Sequence, residues 1–175
     1  MNRITLKRIA LALALSAVIG AVQAGDGAPD LSKVNGSLVA EAGRTYGDID
    51  TVNGSITVEA KAVARNVETV NGSIVIDSFA SVQDVGTVNG KIVLRNGASA
   101  RGVETVNGAI VGVSNLRVQK GVEAVNGSIE LGAHSNIGSQ VETVNGSIKL
   151  LSLNVGGGVE TVNGNITIGD GTVIG

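Results

Sequence analysis

The sequence predicts an all-β fold: a three-sided parallel β-solenoid (β-helix) of about eight coils of 18–19 residues. Three observations predict it. Val-Asn-Gly recurs at Asn35, Asn53, Asn71, Asn89, Asn107, Asn126, Asn145 and Asn163, in steps of 18, 18, 18, 18, 19, 19 and 18. Within each unit apolar residues recur at every sixth position, as in Val34, Ala40, Tyr46, Val52, Val58 and Ala64. One unit therefore reads as a turn of three six-residue sides. Composition fits a narrow interior, with 43% hydrophobic residues, 1% aromatic, 26 glycines and neither Cys nor Trp. A repeat of this length means stacked units that share a core no single unit can bury. The competing arrangement, eight hairpins on type I′ Asn-Gly turns, demands another turn signal between hairpins. The six-residue period through the variable half of the unit favours the solenoid. Right-handed crossovers are the general rule, and on that ground alone the coil is expected to be right-handed.

The chain divides into three parts. Residues 1–24 read as a secretory signal peptide, with Arg3, Lys7 and Arg8 ahead of an apolar stretch from Ile9 to Val22 and a cleavage pattern ending at Ala24. The apolar stretch is shorter than the roughly 20 residues that span a bilayer, so no stable membrane anchor is expected after cleavage. Residues 25–30 are a short lead. Residues 31–175 are a single solenoid domain of eight repeats whose full unit is V-E-T-V-N-G-S-I, as in Val67 to Ile74. Without the leader, 10 basic residues face 15 acidic ones, a net charge of about −5. That leaves no basic patch of nucleic-acid type. The absence of Cys excludes disulfides, thiolate zinc sites, haem attachment and cysteine catalysis. The scarcity of rings argues against stacking platforms for bases or sugars.

In a solenoid each repeat position becomes a column along the rod. The first column (Leu31, Ile49, Val67, Val85, Val103, Val122, Val141, Val159) is expected in the core. So are the Val before each Asn and the Ile two after each Gly. Rings would overfill such an interior. Asn tolerates left-handed backbone and Gly adopts it freely, so Asn-Gly marks a corner. Asn35, Asn53, Asn71, Asn89, Asn107, Asn126, Asn145 and Asn163 form a candidate amide ladder between coils.

The outward columns hold the candidate functional residues. Glu68, Glu104, Glu123, Glu142 and Glu160 share one position, with Asp50 in the second unit. Like charges opposed on paired strands repel. The row is therefore either a solvated acidic edge or, at Glu104, Glu123, Glu142 and Glu160, a candidate cation column. Beside it Thr51, Thr69, Thr87, Thr105, Thr143 and Thr161 are expected to face outward, and a small-ligand module on the Glu and Thr columns is the second functional reading. The position after the repeat Ile holds Val39, Val75, Val93 and Val111, an apolar strip suited to a partner. The extra residue in each of the fifth and sixth units reads as a local bulge. His134, the sole histidine, falls in the variable part of the sixth unit. No insertion long enough to build a catalytic cleft occurs between units, so the chain is expected to be no enzyme and to need no cofactor or metal.

The ends carry the remaining expectation. An open solenoid exposes unpaired backbone at both termini. Pro29 and Asp30 precede the first coil, while the eighth unit carries no polar cap, which predicts a homo-oligomer by end-to-end stacking. The motif Thr-Val-Asn-Gly-Ser-Ile, as at Thr51 to Ile56 and Thr69 to Ile74, resembles the bacterial adhesin-type family of repeat β-solenoids, a domain of unknown function. The resemblance covers Leu31 to Gly175. More distantly the chain resembles the polymer-forming bactofilin β-helices, which lack such a leader. The resemblance implies a secreted or periplasmic structural protein that self-associates or meets a cell-surface or envelope partner.

Overall fold

The computed structural model describes residues 27–175; the leader expected at residues 1–24 lies outside them. The described residues form an all-β parallel solenoid of eight coils with three sheets and no helix. The first sheet has eight strands, from Leu31–Asn35 in coil one to Val159–Asn163 in coil eight. The second also has eight, from Leu38–Ala40 to Ile166–Ile168. The third has five two-residue strands, from Ser99–Ala100 to Val173–Ile174, and is extended toward coil one by isolated bridges joining Thr45, Val63, Ser81 and Ser99. Pairing is parallel and in register throughout: Val67 lies on Val85, Ile74 on Ile92, Arg117 on Ser99. At about 4.8 Å per coil the rod is about 38 Å long.

The core runs down the axis. Ile49, Val67, Val103, Val122 and Val141 line the first side, and Ile56, Ile74, Ile92, Ile110, Ile129 and Ile148 the second, all at 0% exposure. The third side is filled mainly by Ala62, Ala64, Ala80, Ala98, Leu116, Val118 and Ile137. One ring also fits inside. Tyr46 is buried in coil one, and its hydroxyl accepts the Glu41 N–H at 3.1 Å.

The first side turns its residues differently from the sequence expectation. In Val67-Glu68-Thr69-Val70-Asn71 it is Val67 and Thr69 that are buried, while Glu68 and Val70 are half-buried and Asn71 is exposed. The Val before Asn therefore belongs to the outer surface and the Thr column is internal. Strand alternation forces this choice: with Val67 inward, Thr69 follows it and Val70 cannot. The six-residue period holds on the other two sides and slips by one residue here. A hydrogen bond stabilises the buried threonine. Thr69 Oγ1 donates to the carbonyl of Gly54, one coil back, at 3.0 Å; Thr51 does the same to Gly36 at 3.2 Å and Thr143 to Gly127 at 2.9 Å. A buried hydroxyl needs such a partner.

The same carbonyl explains the glycine. Except at Gly36 (φ +121°), the repeat glycines have no positive φ. A Cβ on Gly54 would sit on the carbonyl oxygen of Gly36, and one on Gly108 on that of Gly90. Close approach between coils, rather than left-handed backbone, is what demands Gly in Val-Asn-Gly. The left-handed corner lies elsewhere, in the column Gly43, Lys61, Phe79, Gly97, Asn115, His134, Ser152 and Gly171, with φ between +52° and +75°. The 19-residue spacing is also not a bulge within a strand. Between the third and first sides, Arg101-Gly102 of one coil becomes Gln119-Lys120-Gly121 of the next, while the flanking strands stay paired. The corner is simply longer from coil five onward.

Candidate functional site

The first side presents three parallel rows to solvent. One is acidic. The pairings Asp50 on Glu68, Glu104 on Glu123, Glu123 on Glu142 and Glu142 on Glu160 place one carboxylate in each coil from the second on, interrupted by Gly86 in coil four; coil one has Ser32 there. The second row is the outward valine column, half-buried from Val52 to Val144 and exposed at its ends, Val34 and Val162. The third is the amide ladder. Asn53 Nδ2 donates to Asn35 Oδ1 at 3.0 Å, and the contact repeats without a break through Asn71, Asn89, Asn107, Asn126, Asn145 and Asn163 at 2.8 to 2.9 Å. All eight predicted ladder residues are thus joined in a chain of side-chain hydrogen bonds.

The acidic row is electrostatically stressed near coils two and three. Partial burial, with Asp48 and Asp30 nearby, raises the Asp50 carboxyl to about 6. Partial burial, then Asp50, Asp48, Asp84 and Glu104, raise Glu68 to about 7. Arginine neutralises the neighbouring acids. Arg65 reaches Asp30 and Asp48 at 3.4 Å each, and Arg101 pairs with Asp84. These two arginines also border an open depression of about 560 Å³ on the third side, with Thr45, Val63, Ser81 and Gln83. Their charges are already committed to the aspartates. Among the described residues no group of three or more His, Asp or Glu is placed to hold a metal ion.

The other predicted positions fall as follows. Thr51, Thr69, Thr87, Thr105 and Thr143 are buried, so an outward Thr row is not available to a ligand. On the second side Val39, Val75, Val93 and Val111 do face out, broken by Thr57; below them Glu130 and Lys149 pair at 3.0 Å. His134 is exposed on the left-handed corner at φ +58°. It shares that column with Phe79, whose ring occupies the space a side chain at Gly97 would need. No residue-type pattern marks this corner, which is why sequence inspection missed it.

The two ends differ most. In register, Lys33 of coil one stands in the buried Thr column and Arg44 in the Ala62, Ala80, Ala98 column. Lys33 Nζ donates to the Ser37 carbonyl at 3.3 Å, and Arg44 Nε meets Glu41 at 3.0 Å. The lead closes this end further: Pro29 O accepts the Gly47 N–H at 3.0 Å and Asp30 Oδ1 the Asp48 N–H at 2.7 Å. Coil eight fills the same inward columns with Val159, Thr161, Ile166, Ile168, Thr172 and Ile174. Ile166 and Ile168 are 40% and 48% exposed, against 6% for Leu38 and 0% for Ala40 in the same columns of coil one. Thr172 Oγ1 is shielded from water with no hydrogen-bond partner among the described residues.

Compared with protein families, with curated proteins and with solved structures, the chain matches none.

Proposed function

We propose that the chain is a non-enzymatic, exported structural rod of adhesin type, acting by self-association through coil eight and by contact with an envelope or cell-surface partner. The observation that carries this reading is the exposed core of coil eight, where Ile166, Ile168 and Ile174 stand at a sheet edge whose backbone is unpaired on one side. An edge of this kind is a template for further strands. Export rests on the basic and apolar pattern of residues 1–24. The surface role rests on the resemblance of Thr-Val-Asn-Gly-Ser-Ile to adhesin-type solenoids. Coil lengths that vary by one residue leave no long loop on which a catalytic cleft is built, and this supports a structural rather than a catalytic role. Light scattering of the purified chain across a wide concentration range tests the reading. The expected result is a mass that rises with concentration and stays monomeric when a Lys-rich tail is appended after Gly175. A monomer at all concentrations, or assembly indifferent to the tail, overturns it.

A further inference from the structure

We infer that self-association joins coil eight to coil eight of a second copy, giving a closed tail-to-tail dimer rather than an open head-to-tail filament. The inference rests on the self-association reading above and adds the geometry. Head-to-tail stacking would lay coil eight on coil one, and coil one is built against it. Two of its six inward register positions hold Lys33 and Arg44. Both side chains are exposed at this open end, and charges set at the inward register positions of an edge block strand addition. A covering coil would strip water from both, a cost that Ser37 O and Glu41 offset only in part. Asp30 and Pro29 already occupy the backbone donors of Asp48 and Gly47. Coil eight has no such block. Its six inward positions carry no charge, and its two acids, Glu160 and Asp170, lie outside them.

A two-fold axis across the rod closes the contact. The strands of the two copies then run antiparallel, a pairing that backbone edges accept readily. With the axis through the first side, Val159–Asn163 crosses its own copy. Ile166–Ile168 of one chain then crosses Val173–Ile174 of the other, so exposed apolar side chains meet on both remaining sides. An isologous contact of this kind uses up the surface that makes it. The end of a three-sided coil is small beside the ~800 Å² per partner of a standard interface, so the dimer is expected to be concentration-dependent.

Sedimentation velocity from micromolar to millimolar chain, with two variants, tests this. The wild-type chain should move from monomer to dimer and plateau there. Ile168→Lys, which copies into coil eight the kind of charge coil one carries, should stay monomeric while keeping the β-sheet circular dichroism. Lys33→Thr with Arg44→Ala should add species longer than dimers. The chain has no Cys, so Asp170→Cys with a short bismaleimide reports geometry independently of these variants. It should cross-link to itself, whereas Ala42→Cys, the coil-one position in the column of Asp170, mixed with Asp170→Cys should give no 42-to-170 product. A wild-type monomer at every concentration overturns both self-association and this inference. Species beyond the dimer in the wild type, or 42-to-170 cross-links, leave self-association standing and overturn the tail-to-tail geometry alone.

Discussion

Coil one and coil eight share the repeat framework, yet Leu38 is 6% exposed where Ile166, in the same column, is 40% exposed. The repeat itself treats them alike. Coil one also departs from the repeat at a handful of positions: Lys33 for Thr, Arg44 for Ala, Tyr46 for a small aliphatic residue, and Asp30 ahead of the first strand. A solenoid unit solves burial only between neighbours. Its termini are governed by residues that break the pattern, and in this chain those residues are gathered at one end.

Substitutions at matched column positions sharpen the contrast. The largest effect is expected in the Ile column. Ile110→Ala, fully buried between Ile92 and Ile129, should cost about 4 kcal/mol, whereas Ile166→Ala should cost under about 1 kcal/mol; urea unfolding of both variants measures the gap, and equal losses would mean that coil eight is covered in solution. Next comes the glycine column. Gly108→Ala drives a methyl onto the Gly90 carbonyl with coils on both sides, so a loss of about 3 kcal/mol is expected. Gly164→Ala makes the same clash with Gly146, but coil eight is free to lift away, and the loss should be nearer about 1 kcal/mol. In the amide ladder, Asn107→Ala removes two contacts and Asn163→Ala one. The expected costs are about 1 and about 0.5 kcal/mol, since each exposed bond contributes modestly.

The smallest effect concerns pH. Asp50 is raised from 3.8 to about 6 and Glu68 from 4.5 to about 7. Between these limits the folded chain holds protons that the unfolded chain has released. Stability is therefore greatest below the unfolded values and falls as pH rises through the folded ones. The chain should be more resistant to urea at pH 4.5 than at pH 8 if these two groups dominate. Glu68→Gln should flatten the profile and stabilise the chain at pH 8 by about 1 kcal/mol once water screening is allowed for. A Glu68→Gln profile as steep as the wild type would place the pH dependence elsewhere.

The fold was legible because period is a one-dimensional quantity. The recurrence of Val-Asn-Gly set the coil count, and the amide ladder followed from the register of Asn35 to Asn163. Facing was harder. Val70 is apolar and Thr69 polar, so hydrophobicity alone turns the first side the wrong way. The bond from Thr69 to the Gly54 carbonyl reverses that order, and it joins atoms one coil apart that no local pattern connects. The role of Gly was likewise misassigned, because a clash with the preceding coil is invisible until coils are stacked. The charges of coil one looked like ordinary variation until register placed Lys33 on Thr51.

The left-handed corner has a consequence of its own. Its eight positions carry Gly, Lys, Phe, Asn, His and Ser without disturbing the coils on either side. Backbone geometry there costs a non-glycine residue roughly 1 kcal/mol, and a large group asks the next position to stay small, as Phe79 does of Gly97. The column is in effect a pegboard: a straight line of sockets about 4.8 Å apart, each able to take a different chemical group. Groups written along that line, with a small residue left after each ring as Gly97 follows Phe79, would be held at fixed pitch by the scaffold.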